Sequence, residues 1–220
     1  MFPLFFRDVV FRMPVDEKVL YLTFDDGPTP GVTSKVLDIL QEYGAKASFF
    51  VCGEKVESHP DLFHRICDEG HAIGNHTYSH LNGWKTATSH YIADVERARS
   101  TVQSNLFRPP YGKLTLRQYR YLRKHYRIVV WDVMCGDYDL AVSPQSCYER
   151  IRRYAVPGSV VVFHDSEKTA NRSPCLLEQT LVHFGEKGYR FKKLHHNFVR
   201  DNGTVKNGVN AIESKVPAVL

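Results

Sequence analysis

Short apolar runs rich in Val, Ile, Phe and Tyr alternate along the chain with longer segments in which apolar residues recur at helical spacing. The short runs are predicted strands near residues 19–24, 47–52, 71–75, 106–108, 127–133, 159–164 and 189–194. Six of these seven runs precede a helical segment, which is typical of βα units and a mostly parallel sheet. Because helices then have to cover the outer face of the sheet, we predict an α/β fold with a closed or nearly closed barrel.

The chain reads as one domain. It has 220 residues, of which 43% are hydrophobic and 24% are charged, and this is an ordinary globular composition. No linker or low-complexity stretch divides it. The last stretch, residues 195–220, holds two Asn-Gly turns and little periodicity, so we predict an irregular tail or a small added strand pair there.

Charge and cysteine content exclude several classes of protein. Lys and Arg number 29 against 24 Asp and Glu, and this scattered net charge of +5 does not indicate nucleic-acid binding. The five cysteines include no C-x-x-C pair, which argues against a disulfide framework or a cysteine zinc site. The apolar run at residues 2–6 is too short for a membrane span or a signal peptide. We therefore expect no membrane span and, by default, a cytoplasmic protein, with export by another route left open.

Two adjacent carboxylates end the first predicted strand, in the run TFDDGP at residues 23–28. Asp25 and Asp26 are costly to place at the end of an apolar strand unless a cation or hydrogen bonds compensate their charges. A helix N-cap or an Asx-turn explains one of the two aspartates but not both. We interpret the pair as part of a functional site.

A pair of histidines follows the third predicted strand. His76 and His80 are spaced i and i+4, so a helical turn beginning here would place both rings on one face, where they can bind one metal ion. A structural role is the alternative, since the chain contains 11 histidines. Two histidines and one aspartate from the first site form a ligand set that leaves positions open for water and substrate.

Two further strand ends carry reactive side chains. Arg108, followed by Pro109 and Pro110, would orient a carboxylate, and the rigid turn would aim the backbone of Tyr111 toward the site. His164 ends the sixth predicted strand. The carboxyl ends of barrel strands are where catalytic groups gather, so these four strand ends together indicate a metal-assisted hydrolase with a separate base and acid.

These motifs occur in an order that resembles the polysaccharide deacetylase family, which is carbohydrate esterase family four and shares the NodB homology domain. The matching segments are TFDDG at 23–27, HTYSH at 76–80, RPPYG at 108–112, WDVMCGDY at 131–138 and VFH at 162–164. The resemblance covers about residues 18–194. It implies a distorted (β/α) barrel of about seven parallel strands in a single domain, with residues 1–17 as an N-terminal extension.

The resemblance also implies a role for each matching residue. A divalent metal, most plausibly zinc with cobalt, nickel and manganese as alternatives, would be held by Asp26, His76 and His80. Asp25 would act as general base and His164 as general acid. Arg108 would hold Asp25 in place, and the backbone N–H of Tyr111 would form part of the oxyanion site.

The fourth motif departs from the family pattern, in which two acids precede a tryptophan. Met134 stands at the first acidic position, and Tyr138 replaces the tryptophan. An acid is expected to orient and charge His164, and Asp132, Asp137 and Asp165 are the candidates to supply it. The change to Val162 in the fifth motif conserves an apolar side chain.

The expected activity is removal of acetyl groups from N-acetylhexosamine oligomers or polymers, such as peptidoglycan or chitin-like chains, with release of acetate. An O-acetyl esterase acting on acetylated glycan would use the same residues, and a non-catalytic glycan-binding module is the alternative from another class. The expected partner is the acetylated glycan, and the protein is expected to be a monomer. Trp84 and Tyr138 are candidates for stacking on sugar faces, with a core or loop-packing role equally open for Trp84.

Overall fold

The computed structural model describes residues 8–195. The strands are β1 Val19–Asp25, β2 Ser48–Val51, β3 Ala72–Asn75, β4 Leu106–Phe107, β5 Arg127–Ile128, β6 Val133–Met134, β7 Val160–His164 and β8 Arg190–Phe191. The α-helices are α1 Thr33–Glu42, α2 Gly53–Ser58, α3 Pro60–Asp68, α4 Thr88–Val102, α5 Leu116–Leu122, α6 Pro144–Tyr154 and α7 Ser173–Glu186. Two single 3₁₀ turns span Pro110–Gly112 and Glu167–Thr169. The predicted tail at 195–220 lies, after its first residue, outside the described residues.

The strands form one curled sheet in the order β5-β4-β3-β2-β1-β7-β6, and β8 pairs with β1 beside this path. Every named strand pair is parallel. All carboxyl ends of the strands therefore lie at one rim of the curled sheet. The predicted single-domain α/β fold with a distorted barrel is confirmed.

Strand β1 lies at the centre of the sheet and is buried along its whole length. Its even residues, Leu20, Leu22 and Phe24, pack in the core between the sheet and the helices. Val19 and Tyr21 belong to a second cluster inside the barrel. Because side chains alternate along a strand, Asp25 shares the inward face with Tyr21, and β1 delivers a carboxylate to the barrel interior.

The predicted strand at 127–133 is wrong as a single element. The structure divides it into β5, which pairs with β4, and β6, which pairs with β7. These two strands are the opposite edges of the curled sheet, so the four residues between them carry the chain across the gap. An apolar run looks the same in sequence whether it pairs with one neighbour or crosses between two.

The segment before β1 fills part of that gap. Val10 forms a parallel bridge with Val129, and Arg12 forms an antiparallel bridge with Ser159. Met13 is buried in the cluster inside the barrel. Residues 10–13, which precede the domain start expected from the motifs, thus contribute to the core.

Helices cover the outer face, and local sequence explains their ends. The Ser143 side chain accepts a hydrogen bond from the backbone N–H of Ser146 and caps α6, whose first residue is proline. Gly44, at φ +58°, follows α1 as a left-handed C-terminal residue. No helix within residues 8–195 is long and apolar enough to cross a membrane.

Candidate active site

Four strand ends bring the candidate residues together at the carboxyl rim. Asp25 is the last residue of β1 and lies beside His164, the last residue of β7, in the strand register. His76 follows β3 and Arg108 follows β4 directly. A site is therefore assembled from parts of the chain that are up to about 140 residues apart, because parallel strands end at the same rim.

Asp25 and Arg108 form a buried ion pair. The Arg108 Nη1 atom lies 2.6 Å from Asp25 Oδ1, and both side chains are almost completely shielded from solvent. Such a pair is stable only when the remaining hydrogen-bonding groups are satisfied. Arg108 satisfies them by donating to the Thr23 hydroxyl at 2.8 Å and to the carbonyls of Val129 and Val130 at 3.1 and 2.8 Å.

This network fixes the position of the base candidate. Both carbonyls that receive the Arg108 guanidinium belong to the crossing segment between β5 and β6. The Phe50 ring lies under the guanidinium, 4.0 Å from the ring centroid to Cζ. The predicted orienting role of Arg108 therefore has a physical basis, because contacts with the Thr23 hydroxyl, two backbone carbonyls and the Phe50 ring fix the guanidinium independently of Asp25.

Asp26, His76 and His80 converge on one point. One ligand atom from each of the three side chains lies within 4.8 Å of the others. The Asp26 Oδ1 atom is 3.6 Å from His76 Nε2 and 3.0 Å from His80 Nε2. One carboxylate and two imidazoles with an open side form a set that suits zinc and related divalent cations.

The predicted helical turn at 76–80 is wrong. Residues 76–80 are an irregular loop in which Thr77 and His80 have φ values of +67° and +54°. Positive φ values at two residues are incompatible with a helical turn, so the two histidine rings meet through loop geometry and not through helical spacing. Their ring centroids are 5.2 Å apart.

The hydrogen bond on the far side of His76 supports cation binding. His76 Nδ1 lies 2.8 Å from the carbonyl oxygen of Arg108, which only accepts, so Nδ1 carries the proton. In this tautomer the lone pair of Nε2 points toward the Asp26 carboxylate, 3.6 Å away. Two acceptors that face each other in a buried site are satisfied by a cation between them, and a backbone partner of this kind is what orients metal-bound histidines.

Asp26 is held in its charged form. Burial acts to raise the pKa of Asp26, but the adjacent imidazoles of His76 and His80, which can donate to the carboxylate when no cation lies between them, outweigh it and keep the pKa well below its ordinary value. Asp26 has a φ of +82°, a left-handed conformation that aspartate tolerates better than most residues. The backbone thus turns at Asp26, so its side chain and that of Asp25 serve different parts of the site.

His164 pairs with Asp137. His164 Nδ1 lies 2.7 Å from Asp137 Oδ1, and the backbone N–H of His164 donates to Asp137 Oδ2 at 2.8 Å. The Ser173 hydroxyl donates to the same carboxylate at 2.6 Å. Burial acts to lower the pKa of His164, but the hydrogen bond and charge of Asp137 raise it to about 9. The imidazole therefore holds a proton at neutral pH.

The other two candidate acids for His164 are engaged elsewhere. Asp132 accepts from Arg12, from the Ser159 hydroxyl and from the Val160 backbone. Asp165 accepts from the Thr33 hydroxyl. Met134, which stands at the acidic position of the family pattern, offers only a sulfur, which lies 3.4 Å from the Tyr138 hydroxyl. Among the three alternatives open from the sequence, Asp137 is the acid that contacts the imidazole.

Asp165 is buried behind the site, where it accepts a hydrogen bond from the Thr33 hydroxyl at 2.5 Å. Burial raises its pKa to about 7. The carboxyl group lies directly against Gly27, where a Cβ atom would overlap it. Only glycine fits at position 27, because any larger side chain would clash with the Asp165 carboxyl group.

Asp94 is a site-supporting residue that the sequence analysis did not identify. It is buried on α4 and accepts hydrogen bonds from the backbone N–H groups of Tyr78 and Ser79 at 2.9 and 3.1 Å. It also accepts from the Ser79 hydroxyl at 3.0 Å. Asp94 thus ties down the loop that carries both histidines. An acid among the buried positions of a helix, beside Tyr91 and Val95, was the signal available in the sequence.

Aromatic side chains line the rim. The exposed Tyr111 ring lies 4.8 Å from that of His80, and the Tyr138 ring lies 5.2 Å from that of His164. The Tyr111 backbone has a φ of +60° inside the turn at Pro110–Gly112. The metal-ligand side and the acid side of the site are therefore each bordered by an exposed aromatic ring.

Comparisons with known proteins agree with this geometry. The sequence matches the family model described as polysaccharide deacetylase over residues 12–128. A peptidoglycan-N-acetylglucosamine deacetylase from Bacillus cereus is 31% identical over 190 residues, covering 83% of this chain and 89% of the relative. The peptidoglycan-N-acetylmuramic acid deacetylase PdaA from Bacillus subtilis is 32% identical over 200 residues, covering 85% and 74%.

A solved structure supports the same assignment. The crystal structure of the Bc1960 peptidoglycan N-acetylglucosamine deacetylase, in complex with a substituted benzamide, superposes with a TM-score of 0.83 at 31% identity. It covers 88% of this chain and 95% of the solved chain. A parallel α/β barrel with an Asp-His-His set beside an Arg-paired aspartate and an Asp-paired histidine has the arrangement of a hydrolase. This chain belongs to the polysaccharide deacetylase family, whose members are generally metal-dependent.

Proposed function

We propose that this protein removes acetyl groups from N-acetylhexosamine residues of peptidoglycan or a chitin-like glycan and that its metal is zinc. The observation that carries the proposal is the convergence of Asp26, His76 and His80 between an Arg-paired carboxylate and a protonated imidazole. The similarity to two peptidoglycan deacetylases supports the same substrate class.

Asp26, His76 and His80 would hold the metal. Nitrogen and carboxylate donors in this set suit zinc, whereas magnesium and calcium prefer oxygen donors alone. When bound, a divalent cation supplies Lewis acidity that polarises the acetyl carbonyl and acidifies water. All other parts of the reaction fall to side chains and backbone groups of this chain.

Asp25 accepts the proton of the attacking water. Its carboxylate is oriented by Arg108, whose Nη1 atom lies 2.6 Å from Oδ1. A positioned base of this kind contributes on the order of 10²–10⁴-fold to the rate. The Arg108 network adds stiffness, since four hydrogen bonds fix the guanidinium.

His164 supplies the proton to the leaving amine. An amide C–N bond breaks readily only when its nitrogen is protonated, and His164 holds a proton at neutral pH because Asp137 stabilises the imidazolium. The backbone N–H of Tyr111 would stabilise the tetrahedral oxyanion, a contribution of about 3–4 kcal/mol for one such donor.

The test is acetate release from three glycans compared under one set of conditions: chitooligosaccharides, peptidoglycan and acetylated xylan. We expect acetate and free amines from the first two and much less acetate from xylan. Acetate from xylan alone would contradict the N-deacetylase proposal in favour of an O-acetyl esterase. Glycan binding without any acetate release would favour a non-catalytic module.

We propose that the protein acts as a monomer, because one chain by itself supplies the metal-ligand set, the Asp25–Arg108 pair and the Asp137–His164 pair. Light scattering coupled to size-exclusion chromatography measures the mass in solution. A mass near 25.3 kDa at the concentrations used for the activity assay is the expected result.

A further inference from the structure

A lysine and two exposed aromatic rings border the metal-ligand side of the site. Lys113 Nζ lies 5.1 Å from the centroid of the Trp84 ring and 6.0 Å from that of Tyr111. Trp84 and Tyr111 are 67% and 57% exposed, which is high for such large apolar side chains. The Tyr111 ring in turn contacts His80. The Tyr111 ring therefore lies between the Lys113 ammonium group and the candidate metal ligand His80.

The Trp84 ring is exposed yet fixed. Its indole N–H donates to the carbonyl of Leu114 at 3.1 Å, and its backbone N–H donates to Asn82 Oδ1 at 3.0 Å. The loop that carries it is held by Gln118, whose amide donates to the carbonyls of Gly83 and Thr86. An anchored ring that is 67% exposed is suited to stacking on a sugar, because little conformational freedom is lost on binding.

The Lys113 ammonium has its charge available for a ligand. Within residues 8–195 no carboxylate forms an ion pair with it, and its observed contacts are the two aromatic faces. A cation over aromatic rings is positioned but keeps its capacity to donate to an anion. The half-buried position lowers the screening of its charge relative to a fully exposed lysine.

We propose that Lys113, on the Trp84 and Tyr111 platform, binds a carboxylate carried by the glycan beside the acetamido group that reacts. The inference rests on the proposed function and narrows its substrate class to acidic, carboxylate-bearing N-acetylated glycans of the peptidoglycan kind. Trp84 offers the sugar-stacking face, and Lys113 distinguishes an acidic chain from a neutral one such as chitin.

Two sources of carboxylate exist in such a glycan, and three substrates distinguish them. The first is peptidoglycan glycan stripped of its peptides, which exposes the lactyl carboxylates of the muramic acid residues. The second is the same glycan with its peptides in place, where the carboxylates are on the peptides. The third is a neutral N-acetylglucosamine oligomer of similar length, which carries none.

The experiment measures kcat and KM for acetate release from each substrate with wild-type protein and Lys113→Gln. In Lys113→Gln, we expect kcat/KM for a carboxylate-bearing substrate to fall about 3- to 10-fold below the wild-type value, whereas kcat/KM for the neutral oligomer should stay close to wild type. A loss of this size is what one charge-assisted contact at a partly exposed site contributes. The loss should lie in KM, because a remote contact is made equally in the ground and transition states. Raising the salt concentration should reduce the difference.

Lys85 provides the matched control, because it is an exposed lysine next to Trp84 whose ammonium does not lie over either ring. Lys85→Gln should keep the wild-type preference, and Lys113→Arg should restore most of it. An unchanged preference in Lys113→Gln, or an equal loss in Lys85→Gln, would overturn the proposal. Acetate from neither kind of substrate with wild-type protein would instead contradict the proposed function itself.

Discussion

At the scale of single residues, the two adjacent aspartates have different surroundings. Asp25 lies on the inward face of β1 and contacts a buried guanidinium, whereas Asp26 has a left-handed backbone conformation and contacts two imidazoles. From the sequence, only the family resemblance distinguishes a base from a metal ligand at these two positions. The structure supplies a physical reason why neighbouring residues of the same type differ in chemistry.

Substitution separates these two roles. Asp25→Asn should retain about one divalent ion per chain and lose activity on the order of 10²–10⁴-fold, because an amide cannot accept the proton. Asp26→Asn should lose both the ion and the activity, because a charged ligand is removed. Metal analysis and acetate assays on the purified variants measure both. Loss of the ion in Asp25→Asn together with its retention in Asp26→Asn would require the roles to be exchanged.

The pH dependence tests the pair formed by Asp137 and His164. An acid must begin protonated, so kcat/KM should decline as the pH rises through the His164 pKa of about 9. Asp137→Asn removes the largest charge that raises this pKa, so the alkaline limb should move to lower pH. Asp25 and Asp26 also face the imidazole and raise its pKa, which limits the size of the shift.

Met134→Asp serves as the comparison for that pH profile. Because Asp137 already binds the imidazole, a second acid at position 134 should leave the alkaline limb close to its wild-type position. A limb that moves upward in Met134→Asp and stays in place in Asp137→Asn would mean that Asp137 does not charge His164. The sequence left three acids open here because all three lie within a few residues of a motif, and only tertiary contacts distinguish them.

At the scale of elements, the loop at 76–80 depends on a helix distant from it in sequence. Asp94 on α4 accepts three hydrogen bonds from Tyr78 and Ser79, and these bonds hold the histidines at the rim. The i, i+4 spacing of the histidines alone indicates a helical turn, whereas the structure has an irregular loop there. The histidines were found because their chemistry is visible in sequence, but their geometry was not, since it depends on left-handed residues and on α4.

Weakening this support should weaken metal binding. Asp94→Asn replaces a charged acceptor by an amide, so metal affinity should fall about 10- to 100-fold, as is typical when a supporting partner of a ligand is lost. Isothermal titration calorimetry of metal-free protein with zinc measures the change in affinity. Glu96→Gln, two residues along on the same helix, is the control and should bind zinc as wild type does. Equal affinities for Asp94→Asn and wild type would show that the loop keeps its shape without Asp94.

Strands could be predicted from the sequence where one apolar run pairs with the same neighbouring strands along its whole length. The runs at β1 and β7 are long and apolar, each pairs with strands on both sides, and both lie where the sequence pattern predicted them. The run at 127–133 was not separable in sequence, because β5 and β6 together look like one buried strand. The run is divided because the sheet curls. Its first part pairs with β4 at one edge of the sheet, and its last part pairs with β7 at the other edge.

At the scale of the whole molecule, the barrel depends on a segment before its first strand. Met13 is buried inside the barrel, where residues 10–13 bridge the gap between the sheet edges. Met13→Ala should therefore lower the free energy of unfolding by about 2–5 kcal/mol, as for other large-to-small changes in a core. Urea denaturation measures it, with Val182→Ala on the exposed face of α7 as a control that should change little. A change in Met13→Ala no larger than in Val182→Ala would show that the segment does not contribute to the core.

The central claim is that Asp26, His76 and His80 hold the metal on which deacetylation depends. The most direct measurement is acetate release from an N-acetylated glycan by metal-free protein titrated with zinc, for wild type and His80→Ala. Wild-type activity should be absent without metal and should saturate at about one zinc per chain, whereas His80→Ala should bind zinc weakly and stay far below the wild-type rate. Full activity in the metal-free protein, or the same zinc titration curve for wild type and His80→Ala, would contradict the account.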